Sequence, residues 1–326
     1  MLGELRSLVG GMVPVIALTA TATQETKAII KQDLCLNNCT EVIMNPDKKN
    51  ITYWVHTMET DEIESYFQWL VELLLVKKSE TPRMIIFFRQ IKHIAEVYEL
   101  LETSLGEKAY TNYNPQGPND DRNRLFDMFH MKTDDNVKDS TCASYHDPKG
   151  STRVVLSSTS FSMGLDVKNV DTVIHYGPPN DVDDYLQESG RAGRNPEIQC
   201  HAILLKYKRC LGSPNISNIM KEYVKTMKCR RQLLQSVFDT DKEEKHAHHL
   251  CCDNCKRTCN CTCTCEDECS CTFKCAAEVP SVLHAIQTFY NRDSQDTASD
   301  VSSGSDVDTL YRRTPRIVYS SSDESF

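Results

Sequence analysis

Two arginines set among glycines offer the clearest chemistry in this sequence. Residues 190–194 are Gly-Arg-Ala-Gly-Arg, so Arg191 and Arg194 would share a face if the segment were helical. Gly190 and Gly193 leave that face without bulky side chains. Guanidinium groups bind phosphate oxygens in a fixed fork geometry, and bare backbone lets a phosphate approach closely. The pattern favours polyphosphate binding; the alternative is an ordinary helix end with glycine caps and solvated arginines.

The stretch before the arginines predicts a strand, a break and a short helix. Residues 173–176 are an apolar run of strand length. Pro178 and Pro179 end the strand, and Asn180 or Asp181 caps a helix whose acidic first turn suits the positive end of the helix dipole. In a parallel sheet, loops of this kind lie at the carboxyl ends of the strands, where ligands bind.

Alternating strand and helix patterns between residues 51 and 205 predict a parallel sheet covered by helices. We expect strands at residues 51–56, 84–88, 153–157, 173–176 and 201–205, and helices at 61–76 and 91–101. Upstream, residues 13–18 and 40–44 are strand candidates, and residues 24–34 predict a helix. Residues 131–151 are polar and lack regular periodicity, which predicts a surface insertion without an assigned role.

The cysteines near the C-terminus indicate a metal site. Ten of the 16 cysteines lie between residues 251 and 275, and no signal peptide precedes them, so metal binding is favoured over disulfides. A C-x2-C knuckle places two thiolates on one tetrahedral ion, and two distant ligands complete the site. The predicted ligands are Cys229, Cys252, Cys255 and Cys259, with Cys251, His248 and His249 as alternatives. Such an ion would be structural, because it replaces a hydrophobic core in a small module; unpaired structural cysteines are the alternative.

The C-terminal tail has a biased composition. Residues 261–275 repeat C-x-C, which is typical of a metallothionein-like cluster for Zn or Cu(I) or of low-complexity sequence. Residues 279–290 predict a short amphipathic helix. Residues 291–326 are rich in Ser and Asp and poor in apolar residues, which predicts disorder.

Composition narrows the class of protein. Hydrophobic content is 40% and charged content is 25%, as in globular proteins. The net charge of −9 argues against a basic protein that simply coats DNA, but allows a motor that grips nucleic acid in a local cleft. No run reaches the roughly 18 apolar residues of a membrane span, so no membrane partner is expected.

The order of the motifs resembles that of RecQ-family superfamily 2 DNA helicases. Residues 187–194 (QESGRAGR) resemble the last helicase motif, and residues 157–166 (SSTSFSMGLD) resemble the motif before it. Residues 17–23 (ALTATAT) resemble the motif that closes the first motor lobe. Residues 229–231 (CRR), followed by residues 252–255 (CDNC), resemble the zinc module of RecQ helicases. The resemblance covers roughly residues 13–259.

The resemblance implies an α/β fold with a RecA-like parallel sheet lobe, a small helical zinc-binding module and a disordered tail. The implied domains are a remnant of the first lobe at residues 1–50, the second lobe at 51–207, the zinc module at 208–260 and the tail at 261–326. It also implies site roles. The catalytic residues would be Arg194, Arg191 and Gln187, with Arg194 as the finger. Nucleotide binding would use Gly164, Asp166 and Gly190. Nucleic-acid binding would use Thr159 and Arg89, and coupling of the two sites would use Thr19 and Thr21.

This sequence departs from the family pattern at several positions. Arg89 stands where a Tyr-Cys pair with a small hydroxyl residue is usual, so a surface arginine is the alternative there. Ser162 replaces a glycine. The phosphate-cradling G-x-x-x-x-G-K-[ST] stretch does not occur in the 326 residues. A magnesium-holding Asp-Glu pair at the end of a buried strand is also missing, because Asp61-Glu62 begins a predicted helix and Asp267-Glu268 lies among cysteines. We therefore expect a truncated product or a C-terminal piece of a longer chain, without ATPase activity of its own.

Three functions follow as hypotheses. The first is the C-terminal part of an ATP-dependent 3′–5′ DNA helicase, with ATP, Mg²⁺ and structural Zn²⁺ as cofactors. Its partners would be single-stranded, forked or branched DNA, a missing first lobe or other repair proteins, and its location would be intracellular and nuclear. The second is a non-catalytic module that binds nucleic acid or a partner. The third is a metal-buffering protein whose active part is the cysteine tail.

Overall fold

The computed structural model describes residues 13–19, 23–116, 120–158, 169–238, 248–258 and 280–299. The chain divides into two compact units, residues 1–286 and 287–326. In the second unit, the described residues 287–299 are helical.

The described residues contain a six-stranded sheet in which every pairing is parallel. Its strands are β1 (Ile51–Thr57), β2 (Met84–Phe88), β3 (Phe126–Phe129), β4 (Val154–Ser157), β5 (Thr172–Tyr176) and β6 (Cys200–Lys206). The order across the sheet is β1-β6-β5-β2-β4-β3. Every residue of β2, β4 and β5 is buried, as expected for strands covered on both faces. The predicted RecA-like parallel sheet is confirmed.

Helices flank the sheet and continue beyond it. They are α1 (Gln24–Asp33), α2 (Ile63–Tyr66), α3 (Gln68–Lys77), α4 (Ile91–Leu105), α5 (Asp135–His146), α6 (Val182–Ser189), α7 (Asn218–Lys225), α8 (Arg230–Gln235), α9 (His248–Cys251), α10 (Asp253–Thr258) and α11 (Ser281–Ser299). None of the helices in the described ranges has both the length and the apolar character of a membrane span.

Two predicted strands are wrong. Residues 13–18 and 40–44 are described, and neither segment is a strand. Val15, Ile16, Val42 and Met44 are exposed, so their apolar character does not reflect burial in a sheet. A strand needs a hydrogen-bonded neighbour, and apolar content alone does not supply one.

Residues 131–151, predicted as a surface insertion, contain α5, so their lack of hydrophobic periodicity does not mean a lack of regular structure. Most residues of this segment are exposed or half-buried, and its being an insertion stays a prediction. The Asp134 side chain caps this helix by accepting a hydrogen bond from the Asn136 backbone N–H (2.9 Å). The Tyr145 hydroxyl donates to the Met84 carbonyl (2.8 Å), and the Arg83 guanidinium donates to the Tyr145 carbonyl (3.1 Å). These contacts attach the helix to β2.

The cysteine-bearing helices cover the outer edge of β1. The Thr52 hydroxyl donates to the Leu250 carbonyl (2.7 Å), and the Val55 N–H donates to a carboxylate oxygen of Asp253 (3.1 Å). A parallel bridge joins Tyr53 and Cys252. The edge of β1 is thereby protected from pairing with another chain. The sheet shares one hydrophobic core with residues 216–238 and 251–255, and a domain boundary at residue 207 stays a prediction.

Candidate functional site

The arginine motif lies in a turn that follows α6, which we call the arginine loop (residues 190–194). Asp181 caps α6 by accepting from the Asp184 N–H (2.8 Å), and the helix ends at Ser189. The backbone N–H groups of Arg191 and Ala192 then bond to the carbonyls of Glu188 and Ser189, each at 3.1 Å. Because the helix ends before the arginines, the expectation that they share a helix face is wrong.

Gly193 is required by the conformation of the loop. Its φ is +65°, in the left-handed region that favours glycine. A Cβ atom at this position would lie 2.8 Å from Cγ1 of Ile51 and 3.1 Å from the Asn50 side chain. The glycine therefore brings the loop against the start of β1.

The two arginines differ in exposure. Arg191 is buried, with 9% of its surface exposed, whereas Arg194 is exposed. Burial lowers the pKa of both guanidinium groups, and the nearby Glu188 carboxylate partly offsets this for Arg191. Both remain cations at neutral pH because an arginine does not deprotonate in a protein. A bound anion would offset the cost of keeping positive charge in this partly desolvated loop.

Lys48 is a third cation on the arginine loop, and sequence reasoning missed it. Its Nζ donates to the Gly190 carbonyl (2.7 Å) and to the Ala192 carbonyl (3.4 Å). Burial lowers the pKa of Lys48, and the like charges of Arg194 and Arg191 lower it further. Lys48 and Gly190 are 142 positions apart, so no local pattern reveals this contact. Its only signal is a basic residue just before the first strand.

Asn50 holds the far side of the loop. Its side-chain amide donates to the carbonyls of Asn195 (2.8 Å) and Ile198 (2.9 Å). The loop is therefore bonded to residues 48–50 both at its start and beyond its end.

A cleft of about 220 Å³ lies at the carboxyl ends of β2 and β5. It is lined by Phe87, Phe88, Arg89, His175, Gly177, Pro179, Asn180, Asp184 and Glu188. Arg89, the predicted nucleic-acid contact, is exposed, and its guanidinium donates to Asn180 (2.6 Å) and Ser213 (3.4 Å). This is the strand edge at which ligands bind in open α/β sheets.

A buried pair connects the cleft with α6. His175 Nε2 lies 3.0 Å from Glu188 Oε2, and both side chains are almost fully buried. The pKa of Asp184 is raised to about 6. Burial is the larger cause, and the like charges of Asp181, Glu188 and Asp183 add to it. Sequence reasoning gave no role to these groups.

The other predicted site residues are placed as follows. Gln187 is exposed on α6. Thr19 is exposed and lines a hollow beside α1 together with Phe238. The contact between α1 and α6 is made by Thr26, whose hydroxyl donates to Asp183 (2.8 Å). Thr21, Thr159, Gly164, Asp166 and Cys259 lie outside the described residues.

Four cysteines form a group that could bind a metal ion, which we call the thiol cluster. Its members are Cys229, Cys251, Cys252 and Cys255, whose sulfur atoms all lie within 4.8 Å of one another. Four sulfurs around one tetrahedral zinc are about 3.8 Å apart, given a Zn–S distance of about 2.3 Å. The cluster therefore fits such an ion. Cys251, one of the alternatives from the sequence, is the fourth member of the cluster among the described residues, and the choice of Cys259 stays a prediction because that residue lies outside them.

The surroundings of Cys252 favour its thiolate form, whereas hydrogen bonds among the cysteines raise the pKa of Cys251 and Cys255. The backbone N–H groups of Arg230 (3.4 Å) and Cys255 (3.5 Å) point to Cys252 Sγ. Hydrogen bonds from the Cys229 and Cys251 thiols, together with that from Cys255, lower the pKa of Cys252. Metal binding requires the deprotonated thiol.

Known proteins that are similar to this chain include several helicases. Residues 65–196, which contain β2–β5 and the arginine loop, match the family described as helicase conserved C-terminal domain. ATP-dependent DNA helicase Q1 of Pongo abelii is 24% identical over 253 residues, which cover 74% of this chain and 35% of that protein. The RecQ-like DNA helicase blm-1 of Caenorhabditis elegans is 24% identical over 266 residues, 75% of this chain and 24% of that protein. This chain is similar to the C-terminal portion of RecQ-like superfamily 2 helicases.

The chain also matches a protein of Acanthamoeba polyphaga mimivirus that is named as a putative ATP-dependent RNA helicase, R290. The two are 26% identical over 271 residues, which cover 74% of this chain and 42% of that protein. The chain thus spans less than half the length of these three relatives.

Proposed function

We propose that this chain is the second motor lobe of an ATP-dependent 3′–5′ DNA helicase of RecQ type. The observation that carries the proposal is the arginine loop within the matched helicase domain. There, buried Arg191 and exposed Arg194 flank the left-handed Gly193. An exposed guanidinium on a turn fixed by hydrogen bonds can reach a phosphate held by another surface.

In this proposal the two arginines have different roles. Arg194 is the finger that stabilises charge on the γ-phosphate, and Arg191 lies behind it as a buried cation. Removal of such a finger slows well-studied nucleotide hydrolases by about 10³ to 10⁵. The remaining proposed nucleotide contacts are Gln187, Gly190, Gly164 and Asp166.

The chemistry of the loop fits a triphosphate, because three cations and two glycines meet there. Bound ATP and Mg²⁺ would supply phosphoryl transfer in a complete motor. The 326 residues contain no G-x-x-x-x-G-K-[ST] stretch to cradle the other side of the phosphates. We therefore propose that this chain alone does not hydrolyse ATP.

DNA is the proposed nucleic acid, in single-stranded, forked or branched form. Its backbone would contact Arg89 at the cleft and Thr159. The relatives Q1 and blm-1 are named as DNA helicases. Thr19 and Thr21 are proposed to couple the two sites, and the contact of Thr26 with α6 supports coupling through this part of the chain. A missing first lobe and other repair proteins are the proposed partners, in the nucleus.

The thiol cluster is proposed to hold one structural Zn²⁺. All four donors are sulfur, and such closed sites are typical of structural zinc. Metal analysis tests this: one zinc ion per chain would support this site, whereas several ions per chain would support metal buffering by the cysteine tail.

The second candidate function is a non-catalytic nucleic-acid-binding module. The lack of a phosphate-cradling stretch in this sequence favours it. The arginine loop separates the two candidates, because a module that only binds nucleic acid has no need of an exposed arginine on a glycine turn.

The test uses the zinc-loaded 326-residue chain. ATP hydrolysis is measured with and without single-stranded DNA, and DNA binding is measured over a range of salt concentrations. We expect no turnover above that of Arg194→Ala, and DNA binding that weakens steeply with salt. Arg89→Ala should weaken binding, whereas Arg122→Ala, at an exposed arginine paired with Asp120, is the matched control.

Two results would contradict the proposal. DNA-stimulated turnover that is lost in Arg194→Ala would show that this chain hydrolyses ATP alone. Tighter binding of RNA than of DNA of the same sequence would assign the cleft to RNA.

A further inference from the structure

A buried arginine connects α8 with the residues before β1. The Arg231 side chain is 1% exposed, and its guanidinium donates to the Asp47 carboxylate, to the Lys48 carbonyl (2.9 Å) and to the Ile51 carbonyl. It also lies 4.9 Å from the centre of the Tyr53 ring. We call residues 47–51 the bridge segment. A single guanidinium thus fixes the backbone of the bridge segment at both ends.

The bridge segment in turn holds the arginine loop. Lys48 Nζ donates to the Gly190 and Ala192 carbonyls, one on each side of Arg191. Asn50 donates to the carbonyls of Asn195 and Ile198 just beyond the loop. Hydrogen bonds from a charged donor are stronger than those from a neutral one, so Lys48 is the firmest of these contacts.

The other end of this path is the thiol cluster. Cys229 is the residue immediately before α8, and Arg231 is the second residue of that helix. The Arg230 N–H donates to Cys252 Sγ (3.4 Å), and its Nε donates to Asp253 (2.6 Å). An ion bound by the four thiols would therefore fix the start of α8, and with it the position of Arg231.

We propose that Arg231 and Lys48 are positioning residues that couple the thiol cluster to the arginine loop. With metal bound, Arg231 holds the bridge segment, and Lys48 holds the two carbonyls that flank Arg191. Without metal, the start of α8 loosens, the bridge segment shifts and the loop loses its fixed geometry. Only the identity of the ligand, a polyphosphate, depends on the proposed function. The coupling between the thiol cluster and the loop depends on the hydrogen bonds described above.

Hydrogen exchange measured by mass spectrometry tests this link without nucleotide or nucleic acid. Peptides covering residues 187–199 report on the loop, because the backbone N–H groups of Gly190, Arg191 and Ala192 are hydrogen-bonded. Peptides covering β2 report on the sheet. In zinc-loaded full-length protein, Lys48→Met should raise exchange in the loop about tenfold and leave β2 unchanged. Lys48→Arg, which keeps a charged donor, should restore most of the protection.

Lys49→Met is the matched control, because Lys49 is the exposed neighbour with the same charge. It should leave exchange in the loop at the wild-type level. Removal of zinc from the wild-type chain with a chelator should raise exchange in residues 187–199 as well as in residues 229–258. In Lys48→Met, chelation should add less in the loop than in the wild type, because the firmest contact between the bridge segment and the loop is already lost.

Two results would overturn the coupling. One is chelation that raises exchange only in residues 229–258. The other is a rate of hydrogen exchange in the loop that is the same in Lys48→Met as in Lys49→Met. If chelation unfolds β2 as well, Asp47→Asn in the zinc-loaded protein decides: faster loop exchange at unchanged zinc content supports the path, and unchanged exchange refutes it.

Addition of inorganic tripolyphosphate to the same samples separates the coupling from the proposed function. Protection of residues 187–199 by this probe supports polyphosphate binding. If the probe gives no protection while Lys48→Met still loosens the loop, the proposed function fails and the coupling stands.

Discussion

The arginine loop and the thiol cluster obtain their geometry in different ways. Three of the four thiols lie within five consecutive residues, 251–255, and α9 and α10 bring them together locally. The loop depends on distant partners: Lys48 and Asn50 lie about 140 residues before it. A metal site can therefore be expected from spacing, whereas the shape of the loop depends on tertiary contacts that spacing does not encode.

The largest expected effect comes from a substitution in the thiol cluster. Cys252→Ser should reduce bound zinc from about one per chain to a small fraction. Because zinc-binding energy is folding energy, about 10 kcal/mol or more in small zinc modules, residues 229–258 should lose their order. Metal analysis and hydrogen exchange measure this. Cys142→Ser, at a half-buried cysteine outside the cluster, is the control.

Cys259→Ser tests the choice of the fourth ligand. It should keep zinc, whereas Cys251→Ser should lose it. If Cys259→Ser loses zinc and Cys251→Ser keeps it, Cys259 is the fourth ligand.

The next effect concerns the conformation of the loop. Gly193→Ala should destabilise the chain by about 2–3 kcal/mol, because it combines a left-handed backbone with a clash against Ile51. Gly106→Ala separates the two causes: its φ is +50°, but nothing lies within 4 Å of the added Cβ. It should cost about 1–2 kcal/mol, from backbone strain alone. Urea unfolding measures both, and equal losses would mean that the contact with β1 is not tight.

The two arginines should differ in their effects on stability. Arg191→Ala should lower the free energy of unfolding by about 1–2 kcal/mol, because a buried side chain loses its packing. Arg194→Ala should change it by less than about 0.5 kcal/mol, as for most surface substitutions. Urea unfolding measures both variants. Equal losses of stability in Arg191→Ala and Arg194→Ala would contradict the assignment of Arg191 as the buried support and Arg194 as the exposed finger.

The smallest effect is a pH dependence at the cleft. The pKa of Asp184 is raised from 3.8 to about 6 in the folded chain, so the folded state holds this proton more tightly than the unfolded state. Asp184 therefore contributes a loss of stability as pH rises from about 4 to about 6. Asp184→Asn should flatten this part of the profile of stability against pH. An unchanged slope would mean that Asp184 is well solvated.

Much of the sheet could be predicted, because β2, β4, β5 and β6 are apolar runs bounded by polar residues. β3 was missed because a buried carboxylate, Asp127, interrupts its four residues; Thr141 (3.3 Å) and Arg124 (3.6 Å) contact that carboxylate. α5 was missed for a related reason: its buried residues are Thr141, Ser144 and Tyr145, so its core face has no aliphatic periodicity. Patterns of hydrophobicity do not reveal elements that are held by polar contacts.

At the candidate site, the residue types were predictable and their partners were not. The arginines and three of the four thiols follow from spacing alone. The close approach of Gly193 to Ile51 and the role of Lys48 both depend on groups that are distant in the chain. Such contacts exist only after the sheet has formed.

The most direct test of the central claim is a titration of the zinc-loaded chain with inorganic tripolyphosphate, followed by the arginine Nε–H signals in NMR. We expect saturable shifts for Arg191 and Arg194. In Arg194→Ala the affinity should be weaker by about tenfold or more, because a charged hydrogen-bonding group is lost. In Arg122→Ala it should be unchanged. No saturable shift in the wild-type chain, or equal affinity in Arg194→Ala, would contradict the claim that the arginine loop is a polyphosphate site.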